Sequence, residues 1–397
     1  MIYSIGLSIY LILASPFYLL KVLRGKYRSN FFQRLGFGLK KIEGKTIWLH
    51  ACSVGEIEAA APFIELLMKE KKDFRIIIST VTETGFARAK KMFANLELRY
   101  LPFDFKFAIR KHLLTAGELD SFYIIETEIW PNLIRELSAR KIPIFIVNGR
   151  ISDRAWKRYR RFAFLFRTIL RRISAVAART ELDAERYKFL GADRVEAVGN
   201  IKYDRIAPAL PRNTPQGRFV LFGSTHHGEE KICIEIFERL RKKIPELRAI
   251  LAPRHIERAK ELVKKYGGSL RSEGWDDSKL LILDTHGELA GMYAIAEAAF
   301  IGGSLVPVGG HNPLEAAIHS VPSIWGPYTE NFRDACDVLK DNGGFIVQNG
   351  DELYSVFESL LTDNRLRLQC GASARKKVLE NRGAAERTWK FFQQVTK

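Results

Sequence analysis

Acidic residues are in short supply. The chain of 397 residues holds 45 Asp+Glu against 63 Lys+Arg, a formal net charge of +18. The deficit is local. Residues 1–210 carry 37 basic and 21 acidic side chains, and residues 211–397 carry 26 and 24. A basic part beside a nearly neutral part points to a polyanionic partner: nucleic acid, anionic lipid or a phosphorylated substrate. No zinc finger, RNP-like motif or homeodomain pattern is present, so nucleic acid is not favoured. Only four cysteines occur, Cys52, Cys233, Cys336 and Cys370, with no CxxC pair and no zinc spacing. They read as reduced thiols of a cytosolic compartment.

Other signatures are missing too. There is no GxxxxGK[ST] loop, which argues against an NTPase. No Asp-x-Asp pair is available to hold a metal against a diphosphate. His50, His226, His255, His286 and His311 show no HExxH spacing, which argues against a catalytic zinc. No GxSxG elbow supports a hydrolase. Repeats and low-complexity segments are absent.

Residues 1–20 contain no charged side chain. An apolar run of about 20 residues is long enough to span a bilayer. Lys21, Arg24, Lys26 and Arg28 follow it, the flank expected on the cytoplasmic side. Pro16 interrupts the run, which leaves a helix lying in the interface as the alternative. Either way, residues 1–24 read as a membrane anchor. A second basic stretch, Arg150 to Arg172, interleaves nine Lys/Arg and the single acid Asp153 with Trp156, Tyr159, Phe162, Phe164, Leu165, Phe166 and Leu170. It fits a solvated helix with an aromatic core face, or a surface for lipid headgroups and phosphates.

Between these features short apolar runs alternate with helical patterns. Thr46–His50, Arg75–Ser79, Leu98–Tyr100, Ser121–Ile125 and Pro143–Val147 read as strands, with helical patterns such as Ile57–Lys69, Gly85–Phe93 and Pro131–Ala139 between them. The alternation restarts after a Pro/Arg/Gly-rich segment, with strands at Phe219–Phe222, Leu247–Ala252, Leu280–Leu283, Ala298–Ile301 and Ser323–Trp325. β-then-α alternation predicts parallel sheets covered on both faces. Two Rossmann-like domains in tandem are therefore expected, at 25–205 and 218–397, joined by a linker at 206–217 and facing a central cleft. The closing helical pattern Leu366–Val395 is a candidate to cross back onto the first domain.

Chemistry-bearing residues cluster just past strand ends, where open α/β sheets bind ligands. In WLHACSVGEIEAA, Trp48 to Ala61, Glu56 opens a helical run. The helix dipole would favour its ionised form, which suits a general base; a plain helix-capping role is the alternative. STVTETG (79–85) and ETEIWPN (126–132) also follow strands, and GNIKYD (199–204) places Lys202 beside the linker. Later come GSTHHGEE (223–230), APRH (252–255), DTHGEL (284–289) and IGGSLVPVGGHNPLEA (301–316). Glycines admit close backbone approach and helix N-termini favour anions. Arg254 suits a phosphate or carboxylate, and Asn312 and Glu315 share a helix face from which a carboxylate can accept ribose hydroxyls. Together these predict a nucleotide pocket in the second domain.

HACSVGE, TVTETG, ETEIWPN, VNGRIS, GNIKYD, GSTHHGEE, PRH, GEL, GGSL and GGHNPLEAA, in this order, resemble the Kdo transferases. That family moves 3-deoxy-D-manno-oct-2-ulosonic acid (Kdo) from CMP-Kdo to the lipid A precursor, lipid IVA. The resemblance implies a GT-B fold, an inverting, metal-independent transfer without cofactor, and attachment to the cytoplasmic face of the inner membrane. A donor linked through one phosphate needs no diphosphate-bound metal. It also implies that Glu56 is the catalytic base and that Glu126 and Lys202 assist the transition state. Pro253, Arg254, His286, Gly287, Glu288, Gly303, Ser304, Asn312, Pro313, Leu314 and Glu315 match the CMP site. His227 falls where the family varies and receives no role. Two other readings stay open: a non-catalytic membrane protein sensing anionic lipid or nucleotide, and a UDP-sugar-dependent GT-B transferase acting on another membrane lipid.

Overall fold

The computed structural model describes residues 28–205, 209–274 and 278–396. The expected anchor at 1–24 and part of the expected linker lie outside them. Among the described residues no helix is long and apolar enough to cross a membrane. The chain divides at Arg205/Ile206 and at Asn381/Arg382 into two compact units.

The first unit is built on seven parallel strands: β1 (Lys45–His50), β2 (Arg75–Thr80), β3 (Glu97–Tyr100), β4 (Glu118–Ile125), β5 (Ile144–Gly149), β6 (Ala175–Ala178) and β7 (Val195–Ala197). Their spatial order is β3-β2-β1-β4-β5-β6-β7. The strands are runs such as Ile-Ile-Ile and Phe-Ile-Val because both faces are covered. Ile47, Leu49, Phe63, Ile64 and Tyr123 pack on one side. Trp48, Ile77, Phe122, Ile124 and Leu137 pack on the other. The chain runs outward from β1 to β3 and then returns to β4. The loops after β1 and β4 therefore flank the point where strand order reverses, and a crevice opens there.

The second unit repeats the scheme. Its strands are β8 (Phe219–Thr225), β9 (Arg248–Pro253), β10 (Ser269–Leu270), β11 (Leu280–Ile282), β12 (Ala296–Ile301), β13 (Ser323–Trp325) and β14 (Gly344–Ile346), in the order β10-β11-β9-β8-β12-β13-β14. All pairings are parallel, and the reversal lies between β8 and β12. Two α/β units, each on a parallel sheet, agree with that part of the expected fold class. Four strands escaped the sequence pattern. β6 reads Ala-Val-Ala-Ala and lacks β-branched weight, while β7, β10 and β14 are two or three residues long.

The closing helical pattern is not continuous. It breaks into helices Asn364–Glu380 and Ala384–Thr396, with Gly383 between them at φ +90°, where a side chain would be strained. The final helix belongs to the first unit. Phe392 stacks on Phe145 with ring centroids 4.5 Å apart. Its first turn is clamped by Asp204, whose carboxylate accepts from Gly383 N at 2.5 Å and Ala385 N at 2.6 Å. Arg382 adds hydrogen bonds to the carbonyls of Tyr203 (3.1 Å) and Arg205 (2.8 Å). The short 3-10 turn Ile201–Asp204, which carries Lys202, is thereby fixed from below.

Candidate active site

Glu56 lies on the first turn of the helix Val54–Glu70, directly after β1. Its Oε2 accepts from Cys52 N at 2.6 Å, and Ser53 Oγ reaches Oε1 at 3.5 Å. Glu126 follows β4 on the other side of the reversal point. It holds φ +60°, a setting that costs a non-glycine residue on the order of 1 kcal/mol and so marks a constrained position. Its backbone is pinned on both sides: its N–H donates to Val147 O at 2.9 Å, and its carbonyl accepts from Tyr187 Oη at 3.2 Å. Lys202 Nζ donates to Glu126 Oε1 at 3.1 Å. The structure thus brings Glu56, Glu126 and Lys202 together around one crevice, with Glu128 beside them.

The electrostatics separate these acids. Burial raises Glu56, and the charges of Glu126 and Glu128 raise it further. The Cys52 N–H and Lys202 oppose this, but its pKa still reaches about 8. The helix N-terminus favours the ionised form, as expected, but it is one influence among several. A partial positive charge of helical peptides does not outweigh burial beside two carboxylates. Glu126 behaves oppositely. Burial pushes it up, but Lys202, Arg179 and Arg150 outweigh that and hold its carboxyl below the ordinary range. Glu128 is raised by burial and by Glu126. One crevice therefore holds an ionised carboxylate paired with lysine and, a strand away, a carboxyl poised near neutral pH. Such a division of roles is the usual sign of acid–base chemistry. Ligand atoms of Cys52, Glu56 and Glu128 lie within 4.8 Å of one another, close enough to share a cation. Burial, then Glu128 and Glu56, push the Cys52 thiol up to about 12, so it stays protonated and is a weak ligand.

In the second unit the loops after β8, β9 and β12 come together. Arg254 leaves β9 exposed to solvent, and its N–H donates to Thr225 O at 2.9 Å. Pro253 is buried at the strand end. Gly303 sits at φ +67°, where an added Cβ would meet His311 Cδ2 at 3.0 Å and His226 Cδ2 at 3.3 Å, so backbone and imidazoles approach as only glycine permits. Asn312 Oδ1 accepts from Leu314 N at 3.2 Å and starts the short helix Leu314–Ala317, after the buried Pro313. Glu315 stands in its first turn, close enough to help burial push the Tyr293 phenol well above its ordinary value.

Some expected donor residues also hold the loops together. Ser304 is fully buried. Its hydroxyl donates to Ile301 O at 2.5 Å and accepts from Gly326 N at 2.9 Å. Glu288 is held by Arg271 through two bonds of 3.1 Å and by the Thr285 hydroxyl. His286 and Gly287 are exposed on that same turn after β11.

Glu229 is the residue the motif reading passed over. It is fully buried, and it opens the helix Glu229–Arg241 after β8. Oε2 accepts from His226 N (2.9 Å) and Gly303 N (2.7 Å), and Oε1 from Ser304 N (3.0 Å) and Leu305 N (3.0 Å). One carboxylate thus staples together the two loops that flank the β8/β12 reversal. The only hint in the sequence was an acid at the helix start after GSTHHG.

The chain is similar to known proteins over most of its length. A family model described as "3-Deoxy-D-manno-octulosonic-acid transferase (kdotransferase)" matches residues 29–205. The 3-deoxy-D-manno-octulosonic acid transferase of Haemophilus influenzae is 34% identical, over 93% of this chain and 92% of that one. The chain belongs to the 3-deoxy-D-manno-octulosonic acid transferase family. The family member from Aquifex aeolicus is 30% identical over 82% of this chain and 88% of its own. Among solved structures, the UDP-GlcNAc 2-epimerase from Neisseria meningitidis bound to UDP-GlcNAc aligns with a TM-score of 0.60 over 88% of this chain and 100% of that chain, at 11% identity. That likeness is one of fold.

The Glu229 staple is testable by itself. Glu229→Gln keeps the shape but turns an amide toward backbone N–H groups, leaving buried donors unpaired. A loss of about 2–4 kcal/mol in urea unfolding is expected, at about 1–3 kcal/mol per unpaired group. An unchanged midpoint would contradict the staple.

Proposed function

We propose that this chain transfers Kdo from CMP-Kdo to a primary hydroxyl of the lipid A precursor, with inversion and without a metal, at the cytoplasmic face of the inner membrane. The observation that carries the reading is the separation of Glu56 from the Glu126–Lys202 pair across the β1/β4 crevice, in a chain 34% identical over its length to a transferase of that name. Glu56 takes the proton from the acceptor hydroxyl as its oxygen bonds to the anomeric carbon of Kdo. The bond from that carbon to the CMP phosphate breaks, and CMP departs with the electron pair. Glu126 and Lys202 stabilise charge developing at the sugar. Arg254, with the Gly303 backbone, faces the phosphate, and Glu315 accepts the ribose hydroxyls.

Membrane attachment is supported by the basic stretch. It forms two helices, Asp153–Arg161 and Ala163–Leu170. Trp156, Tyr159 and Phe166 lean against the core, while Phe162 (48% exposed), Phe164 (66%) and Leu165 (51%) stand out among the arginines. Exposed aromatic and aliphatic side chains in a stretch rich in Lys and Arg suit the boundary of an anionic bilayer. The acceptor itself is an anionic glycolipid, so one surface serves both docking and capture.

Two outcomes are expected. Glu56→Gln should retain the fold and lose roughly 10²–10⁴-fold in turnover, the usual worth of a positioned base. In the wild type, kcat/KM should climb with pH to a plateau above about 8, because the base must be ionised. CMP-Kdo and UDP-sugars offered side by side, with product mass as readout, fix the donor. Near-normal turnover of the variant, or transfer from a UDP-sugar alone, would overturn the assignment.

The docking surface is tested with a chain lacking residues 1–20. It should bind anionic phospholipid vesicles at low salt and release at high salt, each Lys or Arg near the surface adding about 1 kcal/mol. A chain that ignores those vesicles at low salt would show that the charge asymmetry serves another purpose.

A further inference from the structure

Three imidazoles meet at the β8/β9/β12 strand ends. His226 Nε2 and His311 Nε2 are 2.9 Å apart. Their rings are nearly parallel, at 8° and 5.2 Å between centroids. The His255 ring packs edge-on against His226 at 5.8 Å. Two ring nitrogens can stand at 2.9 Å only with a single hydrogen between them. The contact therefore forbids a doubly charged pair. It permits either a neutral pair or a pair with one extra proton, since that proton can sit on an outer Nδ1 without breaking the bond.

The surroundings choose between those states. From β9 come Arg254 and His255. From the helix after β8 come Glu229 and Glu230. Both acids are already committed, Glu229 to four backbone N–H groups and Glu230 to Arg258 at 2.5 Å. Burial, then Arg254, lower His311 to about 3, and burial, with His255 and Arg254, lowers His226 although Glu229 and Glu230 oppose it. Both shifts favour the neutral pair. An anion arriving beside it reverses the local field, and the pair already has the geometry to hold one proton.

We propose that the His226–His311 pair takes up a proton from solvent when the phosphate of the donor nucleotide binds, and returns it when CMP leaves. This rests on the donor reading given above. It adds two recognition residues, and it makes nucleotide affinity depend on pH through the protein.

The test is calorimetry with CMP at pH 7, using the full-length protein in buffers of differing ionisation enthalpy. The wild type should take up about 0.5–1 proton per CMP, as a single site coupled to an anion does. His311→Gln keeps a hydrogen bond to His226 and should bind CMP with the uptake reduced at least threefold. The CMP phosphate, with its own second pKa of about 6, would take up protons equally in both proteins. Equal uptake in both, or none in the wild type, would overturn the proposal. An absence of CMP binding would instead overturn the donor reading itself. Should His311→Gln fail to fold, ¹⁵N-imidazole spectra of the wild type at fixed pH serve the same end. Addition of CMP should move one of the two rings to the imidazolium state, and spectra that stay neutral would contradict it.

Discussion

Three carboxylates compete for one lysine at the β1/β4 reversal, and the behaviour of the first unit follows from how that competition is settled. Lys202 goes to Glu126 at 3.1 Å. Glu56 and Glu128 are left half-buried beside an existing negative charge, and both are pushed up. At an effective dielectric of about 20, like charges a few ångströms apart repel by several kcal/mol, so all three do not ionise together easily. The backbone enforces the arrangement. Glu126 is locked at a left-handed φ by β5 and Tyr187, and Lys202 sits on a turn clamped by the returning C-terminal helix through Asp204 and Arg382. The final helix therefore reaches the chemistry through two hydrogen-bonded steps without contributing a side chain to it.

The second unit meets the same topology with the opposite electrostatics. Its crevice carboxylate, Glu229, is spent on four backbone donors and holds the glycine-rich loop against the β8 turn. What remains facing outward there is Arg254 and a set of imidazoles. The Arg254 guanidinium beside those imidazoles suits a nucleotide phosphate, whereas the first crevice suits a hydroxyl that must lose a proton. The net charge of the two parts runs the other way. The excess of cations lies in residues 1–210, where exposed Phe164 and Leu165 stand among arginines.

Much of the architecture is legible in the sequence, because buried parallel strands leave dense apolar runs and strand-end loops leave glycines. β1, β2, β4, β5, β8, β9 and β12 all carry that mark. β6 does not, since four small residues give no periodic signal, and the break at Gly383 hides inside an otherwise continuous helical pattern. Glu56, Glu126 and Lys202 stand out through their strand-end positions. Their division of labour does not, because it depends on contacts across 76 residues of chain. The carboxylates that oppose the helix N-terminus at Glu56 arrive from a different strand, so their effect is hidden from the sequence for the same reason. Glu229 and the His226–His311 contact depend on β8 lying beside β12, which motif spacing alone does not supply.

The first unit's chemistry turns on Glu56 keeping its proton near neutrality while Glu126 does not. Titration of the carboxyl ¹³C resonances of glutamate-labelled protein, with Glu56→Gln and Glu126→Gln to assign them, measures this directly. One resonance titrating at about 8 that vanishes in Glu56→Gln is expected, with a Glu126 resonance titrating below the ordinary glutamate range. A Glu56 carboxyl titrating at an ordinary value of about 4.3 would contradict it.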